Sequence, residues 1–192
     1  MKEKLTLRNI VIWSAALLGL VFFFLSFAAA PRIEMPGEGG MIAYAFKNGI
    51  WGGTEVDCQL NGQSIMTAYM TAQIFALPLI GVILLLVAVI GAVLVSFLIK
   101  DQKVAKISLI SCGGLSLVGG IFVFFAGETA LRTLVLYDSG SLDNVEEYRQ
   151  ILQQYGGRIT PGGLAIVIGI IAILAGIAFG LAPFLPEKKL AK

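Results

Sequence analysis

The chain has 192 residues, of which 57% are hydrophobic and 14% charged, with a mean hydropathy of +0.88. Soluble domains are about 45–50% apolar and about 25% charged, so this excess is more than one aqueous core can hide. That composition excludes a disordered chain, an ordinary cytosolic enzyme and a nucleic-acid binder. The net charge of +2 sets up no global field for an anionic partner. Histidine is absent, which removes the commonest general base and metal ligand. Two cysteines build no disulfide framework. The composition predicts a polytopic membrane protein with no catalytic set and no cofactor.

Crossing a bilayer as a helix takes about 20 apolar residues. Four stretches qualify, over 10–30, 74–99, 104–126 and 164–185, in a single membrane domain spanning 1–192. The first resembles a signal peptide, with Lys2, Lys4 and Arg8 ahead of it and Ala28-Ala29-Ala30 at its end. Pro31 would follow the cut directly, which favours a retained helix. The two tails and the link near residue 100 carry nine of the fourteen basic residues and only three acids (Glu3, Asp101 and Glu187), a net +6. The loops 31–73 and 127–163 hold the other five basic residues and nine acids, a net −4. The positive-inside rule then places both termini in the cytoplasm and both long loops outside, at the plasma membrane.

The first outer loop contains Asn48-Gly49 and Asn61-Gly62, each between strand-like residues. Asn-Gly is the strongest short hairpin signal because both residues tolerate positive φ. Pairing outward from both turns predicts a three-stranded meander over 41–47, 50–60 and 63–67; the alternative is an irregular loop with two isolated turns. In that register Met41, Val56, Cys58, Leu60 and Ile65 share one face, and Ile42, Tyr44, Phe46 and Trp51 lie on the other beside Glu55, Asp57 and Gln59. Tyr44, Phe46 and Trp51 are then exposed candidates for partner contact, since Trp and Tyr are enriched at binding hot spots. The same residues also gather as a belt at membrane interfaces, which is an equal explanation. Cys58 falls on the apolar face, as a buried thiol or as one half of an intermolecular disulfide.

In the second span Ala88, Ala92 and Ser96 recur at intervals of four; Pro78, near its outer end, is expected to kink it. The third span has Ser108, Cys112, Ser116 and Gly120 at the same interval. Helices in lipid associate where small residues let backbones approach, so each stripe marks a packed face or the seat of a partner helix. No acid or base falls at the centre of any span, which argues against a proton-coupled transporter. The third helix is expected to run on past the membrane, where Glu128 and Arg132, four apart, form a salt bridge. Beyond it, Asp143 and Glu146 read as a capping box for an amphipathic helix carrying Leu142, Val145, Tyr148, Leu152 and Tyr155, stopped by Gly156-Gly157. The fourth span repeats the small-residue pattern with Ala165, Gly169, Ala172, Gly176 and Gly180.

Neither cysteine belongs to a C-x-x-C pair, which excludes the four-helix quinone-linked thiol oxidases that pass electrons through a dithiol. Four helices, cytoplasmic tails, a sheet in the first outer loop and a lengthened third helix resemble the claudin and peripheral-myelin-protein tetraspan superfamily. The local match is Trp51-Gly52-Gly53 followed by Cys58, similar to that family's W…G-L-W…C…C signature, with no Leu-Trp after the glycine and one cysteine where the family has a disulfide-forming pair. Tetraspanins, with a cysteine-rich second outer loop, fit worse. The resemblance implies an all-α, four-helix membrane protein with a small extracellular antiparallel β-sheet. It also implies a non-enzymatic role in adhesion, barrier or channel formation, or as an accessory subunit. The partners expected are membrane lipids and another membrane or surface protein, or further copies of the chain as an oligomeric pore. A lipid-modifying enzyme using Glu128, Asp138, or Glu55 and Asp57 as acids or ion ligands is the remaining class.

Overall fold

The computed structural model describes residues 6–51, 55–69 and 76–185. The element order is α1 (Leu7–Leu25), β1 (Arg32–Gly37), β2 (Gly40–Phe46), β3 (Glu55–Leu60), β4 (Gln63–Tyr69), α2 (Ala76–Leu98), α3 (Gln102–Val123), α4 (Ala126–Ser139), α5 (Val145–Gln154), β5 (Arg158–Thr160) and α6 (Gly163–Leu181). Contacts divide the chain into two compact units. A helical unit comprises Met1–Phe24, Ile80–Ile121 and Ile168–Lys192, and a sheet-bearing unit comprises Leu25–Leu79 and Phe122–Val167.

Four helical segments are long and apolar enough to cross a membrane: Leu7–Ala28, Leu77–Leu98, Gln102–Val123 and Gly163–Phe184. They mark a multi-pass membrane protein. Within the helical unit many small residues are buried together with a few large ones such as Ile12, Leu85 and Phe179, while Leu17, Leu98, Ile107 and Leu174 are exposed. Exposed large apolar side chains are expected where lipid solvates them. The packed face holds Ala15 and Ala16 of α1, Ala88 and Ala92 of α2, Cys112 of α3 and Ala172 of α6. Ser108 and Ser96 are half-buried.

Close backbone contacts join α3 to α6, which run antiparallel, and α3 to α2, where a Cβ on Gly119 would lie 2.6 Å from the Gly81 carbonyl oxygen. A Cβ built on Gly113 would lie 2.7 Å from the Gly176 carbonyl oxygen, and one on Gly120 2.7 Å from that of Gly169. Between those two contacts Ser116 Oγ donates to the Ala172 carbonyl at 2.7 Å. Gly113–Gly120 and Gly169–Gly176 are each a heptad apart, so the glycines recur on one seam. On α1, Trp13 Nε1 donates to Ser96 Oγ at 3.2 Å and its ring stacks on Phe97 at 5.4 Å. Pro78 is the third residue of α2, where its missing N–H has no helical acceptor to lose, so the expected kink is not needed there.

The sheet-bearing unit contains five antiparallel strands in the order β4-β3-β2-β1-β5, two more than the meander alone. At Asn61-Gly62 both residues have positive φ and Leu60 pairs with Gln63, the two-residue hairpin expected. Asn48-Gly49 behaves differently. Only Asn48 is left-handed, and the chain then enters a 3-10 turn over Gly49–Trp51. Trp51 explains the detour: its Nε1 donates to Ser26 Oγ at 2.8 Å and its ring stacks on Phe27 at 4.4 Å. The longer connection displaces the β2–β3 register by an odd number of residues, which flips every side chain of one strand to the other face. Tyr44 therefore pairs with Cys58 and Phe46 with Val56, on the same face rather than on opposite ones. A bulge at Cys58/Gln59 then sets Met66, not Ile65, opposite Cys58. The core on this face joins Ile33, Phe46 and Val56 to Ala130, Leu131 and Val135 of α4 and Leu152 of α5.

Two local expectations are also corrected. The helix expected to lengthen the third span is separate: α3 ends at Val123 and α4 starts at Ala126 after a turn at Phe124-Phe125. Asp143 lies in a 3-10 turn over Leu142–Asn144 that Ser141 caps, its hydroxyl accepting from the Asp143 amide at 3.2 Å, and Asn144 holds the N-cap position of α5. Gly156, left-handed, ends α5 as expected.

Candidate functional site

The sheet-bearing unit holds a cleft of about 500 Å³ with a sheet floor and two helical walls. The floor is a row crossing four adjacent strands: Met35 of β1, Tyr44 of β2, Cys58 of β3, and Met66 and Ala68 of β4. The register produces it, because cross-strand partners Tyr44, Cys58 and Met66 necessarily share a face. One wall is Leu134, Tyr137 and Asp138 of α4; the other is Tyr148, Ile151 and Leu152 of α5. Both triplets follow the i, i+3, i+4 spacing of one helix face. The Tyr148 hydroxyl donates to the Asp138 carboxylate.

The electrostatics are simple. Burial pushes the Tyr44 hydroxyl above its ordinary value, and the neighbouring Cys58 and Asp138 push it further. Burial also pushes the Cys58 thiol up, with Asp57 adding to it. Both groups are therefore neutral at physiological pH. Cys58 is 4% exposed and free, the buried thiol of the sequence reading.

β4 forms one edge of the sheet. Its sequence, QSIMTAY, has no charge and no proline, and Ile65, Met66 and Tyr69 are 63%, 58% and 74% exposed. Natural edge strands are usually short or guarded by charge, proline or a cover. This one runs seven residues and borders the cleft through Met66 and Ala68.

Of the aromatics singled out in the sequence, Tyr44 is half-buried in the cleft, whereas Phe46 is 2% exposed and belongs to the core. Trp51 is half-buried against Ser26 and Phe27, and Gly52 and Gly53 of the W-G-G segment lie outside the described residues. The exposed apolar residues fall instead on β4 and α5, and Tyr155 is exposed rather than part of the packed face. An uncharged run without proline at the end of a meander is the sequence signal for β4.

Glu128 and Arg132 do pair, at 2.9 Å, and Arg149 of α5 adds a 2.6 Å bond to the other carboxylate oxygen. Burial alone would raise the Glu128 carboxyl, but the hydrogen bonds from Arg149 and Arg132 outweigh it and hold the group below its ordinary value. Glu55 is engaged by Lys47. Asp57 accepts from Ser64 and Gln59, which hold its carboxyl low. Among the described residues no three acids, cysteines or histidines gather as metal ligands. Compared with known proteins, the chain matches no family model and no curated relative, so the functional reading rests on this geometry.

Proposed function

We propose that this is a non-enzymatic structural or accessory protein of the plasma membrane, a claudin-like tetraspan that binds another protein through its sheet-bearing unit. The observation that carries the reading is the uncharged edge strand β4, unpaired on its outer side among the described residues, with Ile65, Met66 and Tyr69 exposed. An extended partner segment added there would gain main-chain hydrogen bonds along seven residues, and the alternate side chains facing the cleft would supply specificity. The distribution of lysines and arginines supports cytoplasmic termini and an external sheet. Four membrane-spanning candidates and a sheet in the first long loop support the claudin-like comparison. The separation of α3 from α4 and the free Cys58 depart from it.

The same edge admits a second copy of the chain, which is the basis of the alternative reading as an oligomeric pore or channel subunit. Mild crosslinking in native membranes, affinity purification and mass spectrometry separate the two. One stoichiometric membrane partner supports the accessory role. A ladder of homo-oligomers supports self-assembly and makes ion flux in liposomes the next measurement. A chain that crosslinks to nothing contradicts both.

A further inference from the structure

The cleft between the sheet floor and the α4–α5 walls has a chemistry that does not depend on β4 acquiring a partner strand. Among the described residues Asp138 is the one acidic side chain in its lining, and no lysine or arginine lines it. Three tyrosine rings (Tyr44, Tyr137 and Tyr148) share the lining with the polarisable sulfurs of Met35, Cys58 and Met66. Aromatic rings carry a negative quadrupole and attract cations, most strongly where water is displaced. The Tyr148 hydroxyl anchors one side of the Asp138 carboxylate, and the other lone pairs are left to accept from a ligand. The volume of about 500 Å³ is within the range of small-molecule sites.

Those features discriminate between ligand classes. An anion would meet a carboxylate with no compensating base. A hard metal ion wants six or more oxygen ligands, and here one carboxylate stands among apolar side chains. A plain hydrophobe would fill the cleft and make no use of the Asp138 carboxylate at its rim. We propose that the cleft binds a small organic cation, a quaternary or alkylammonium head on an apolar body, with Asp138 as counter-ion and the three tyrosines as π partners.

The test uses the full-length protein in non-ionic maltoside micelles, titrated calorimetrically with benzyltrimethylammonium. Saturable one-to-one binding is expected. Asp138→Asn keeps the shape and removes the charge, and should weaken binding by at least roughly tenfold. Tyr137→Leu should weaken it by about three- to tenfold. Asp138 and Tyr137 are exposed, so these variants are expected to melt as the parent does, and the melt is recorded with each titration. Choline should outcompete its neutral isostere 3,3-dimethylbutan-1-ol. Phosphocholine competing as well as choline would identify a lipid headgroup as the source, and exclusion of phosphocholine a free cation; either supports the site. Equal binding of the neutral isostere, indifference to Asp138→Asn in a protein with unchanged melting, or absence of saturable binding would overturn it.

Discussion

In the helical unit helices meet backbone against backbone at Gly113–Gly176, Gly120–Gly169 and Gly119–Gly81, with small residues packed beside a few large ones such as Phe179, while Leu174 and Ile107 face outward. In the sheet-bearing unit Phe46, Ile33, Leu131 and Val135 fill the interior, and ion pairs and polar turns occupy the surface. The solvents differ, and so does what specifies the structure. Where lipid surrounds the helices, burying a leucine gains little, and the information lies in where side chains are missing. Where water surrounds the sheet, the information lies in which large side chains are removed from it.

The comparison predicts different weak points. Phe46→Ala should be the most damaging single change to the sheet-bearing unit, by about 3–5 kcal/mol, read as a lowered thermal midpoint in detergent. Gly113→Ala places a Cβ against the Gly176 carbonyl and should destabilise the helical unit by about 1–3 kcal/mol. Gly114→Ala, one residue along and facing open space, should be tolerated. If the two glycine variants melt alike, the seam is not what holds α3 to α6.

Glu128 is held below its ordinary value by Arg149 and Arg132, so its contribution is fully present above the unfolded pKa of about 4.3 and is lost as the pH falls through the lower folded value. Melting followed between pH 7 and pH 3 should show this slope in the parent and lose part of it in Glu128→Gln. A smaller effect is expected for Ser116→Ala, about 0.6 kcal/mol, in line with hydrogen bonds between helices in lipid. Smallest in stability is Met66→Lys on exposed β4, within about 0.5 kcal/mol. It should nonetheless abolish partner association, because lysine guards an edge.

The same contrast governs what the sequence discloses. Long apolar runs and stripes such as Ser116–Gly120 and Ala172–Gly176 are local patterns, and the spans can be read from them directly. Gly113, the partner of Gly176, lies just beside the stripe of Ser108, Cys112 and Ser116, so spacing by four alone passes over it. Asn61-Gly62 is legible because its turn is made by its own two residues. Asn48-Gly49 misleads because Trp51 is drawn to Ser26 and Phe27, a contact across 25 residues that no turn rule contains. That contact moves the register, and with it Phe46 passes from the expected surface to the core. β1 contains Pro36 and β5 has three residues, so neither announces itself as a strand without the other. Arg149 joins Glu128 across 21 residues, beyond any helical spacing rule. The cleft needs the register, the bulge and both helices at once, and is invisible before they are in place.

The most direct measurement of the central claim is site-specific photo-crosslinking in native membranes, with a benzophenone side chain at Met66 on the β4 edge and, as a control, at the exposed Glu38 in the β1–β2 turn. One discrete adduct is expected from position 66, lost when Ile65→Lys is added, and none of that size from position 38. The same adduct from both positions, or none from position 66, would contradict a docking role for this edge.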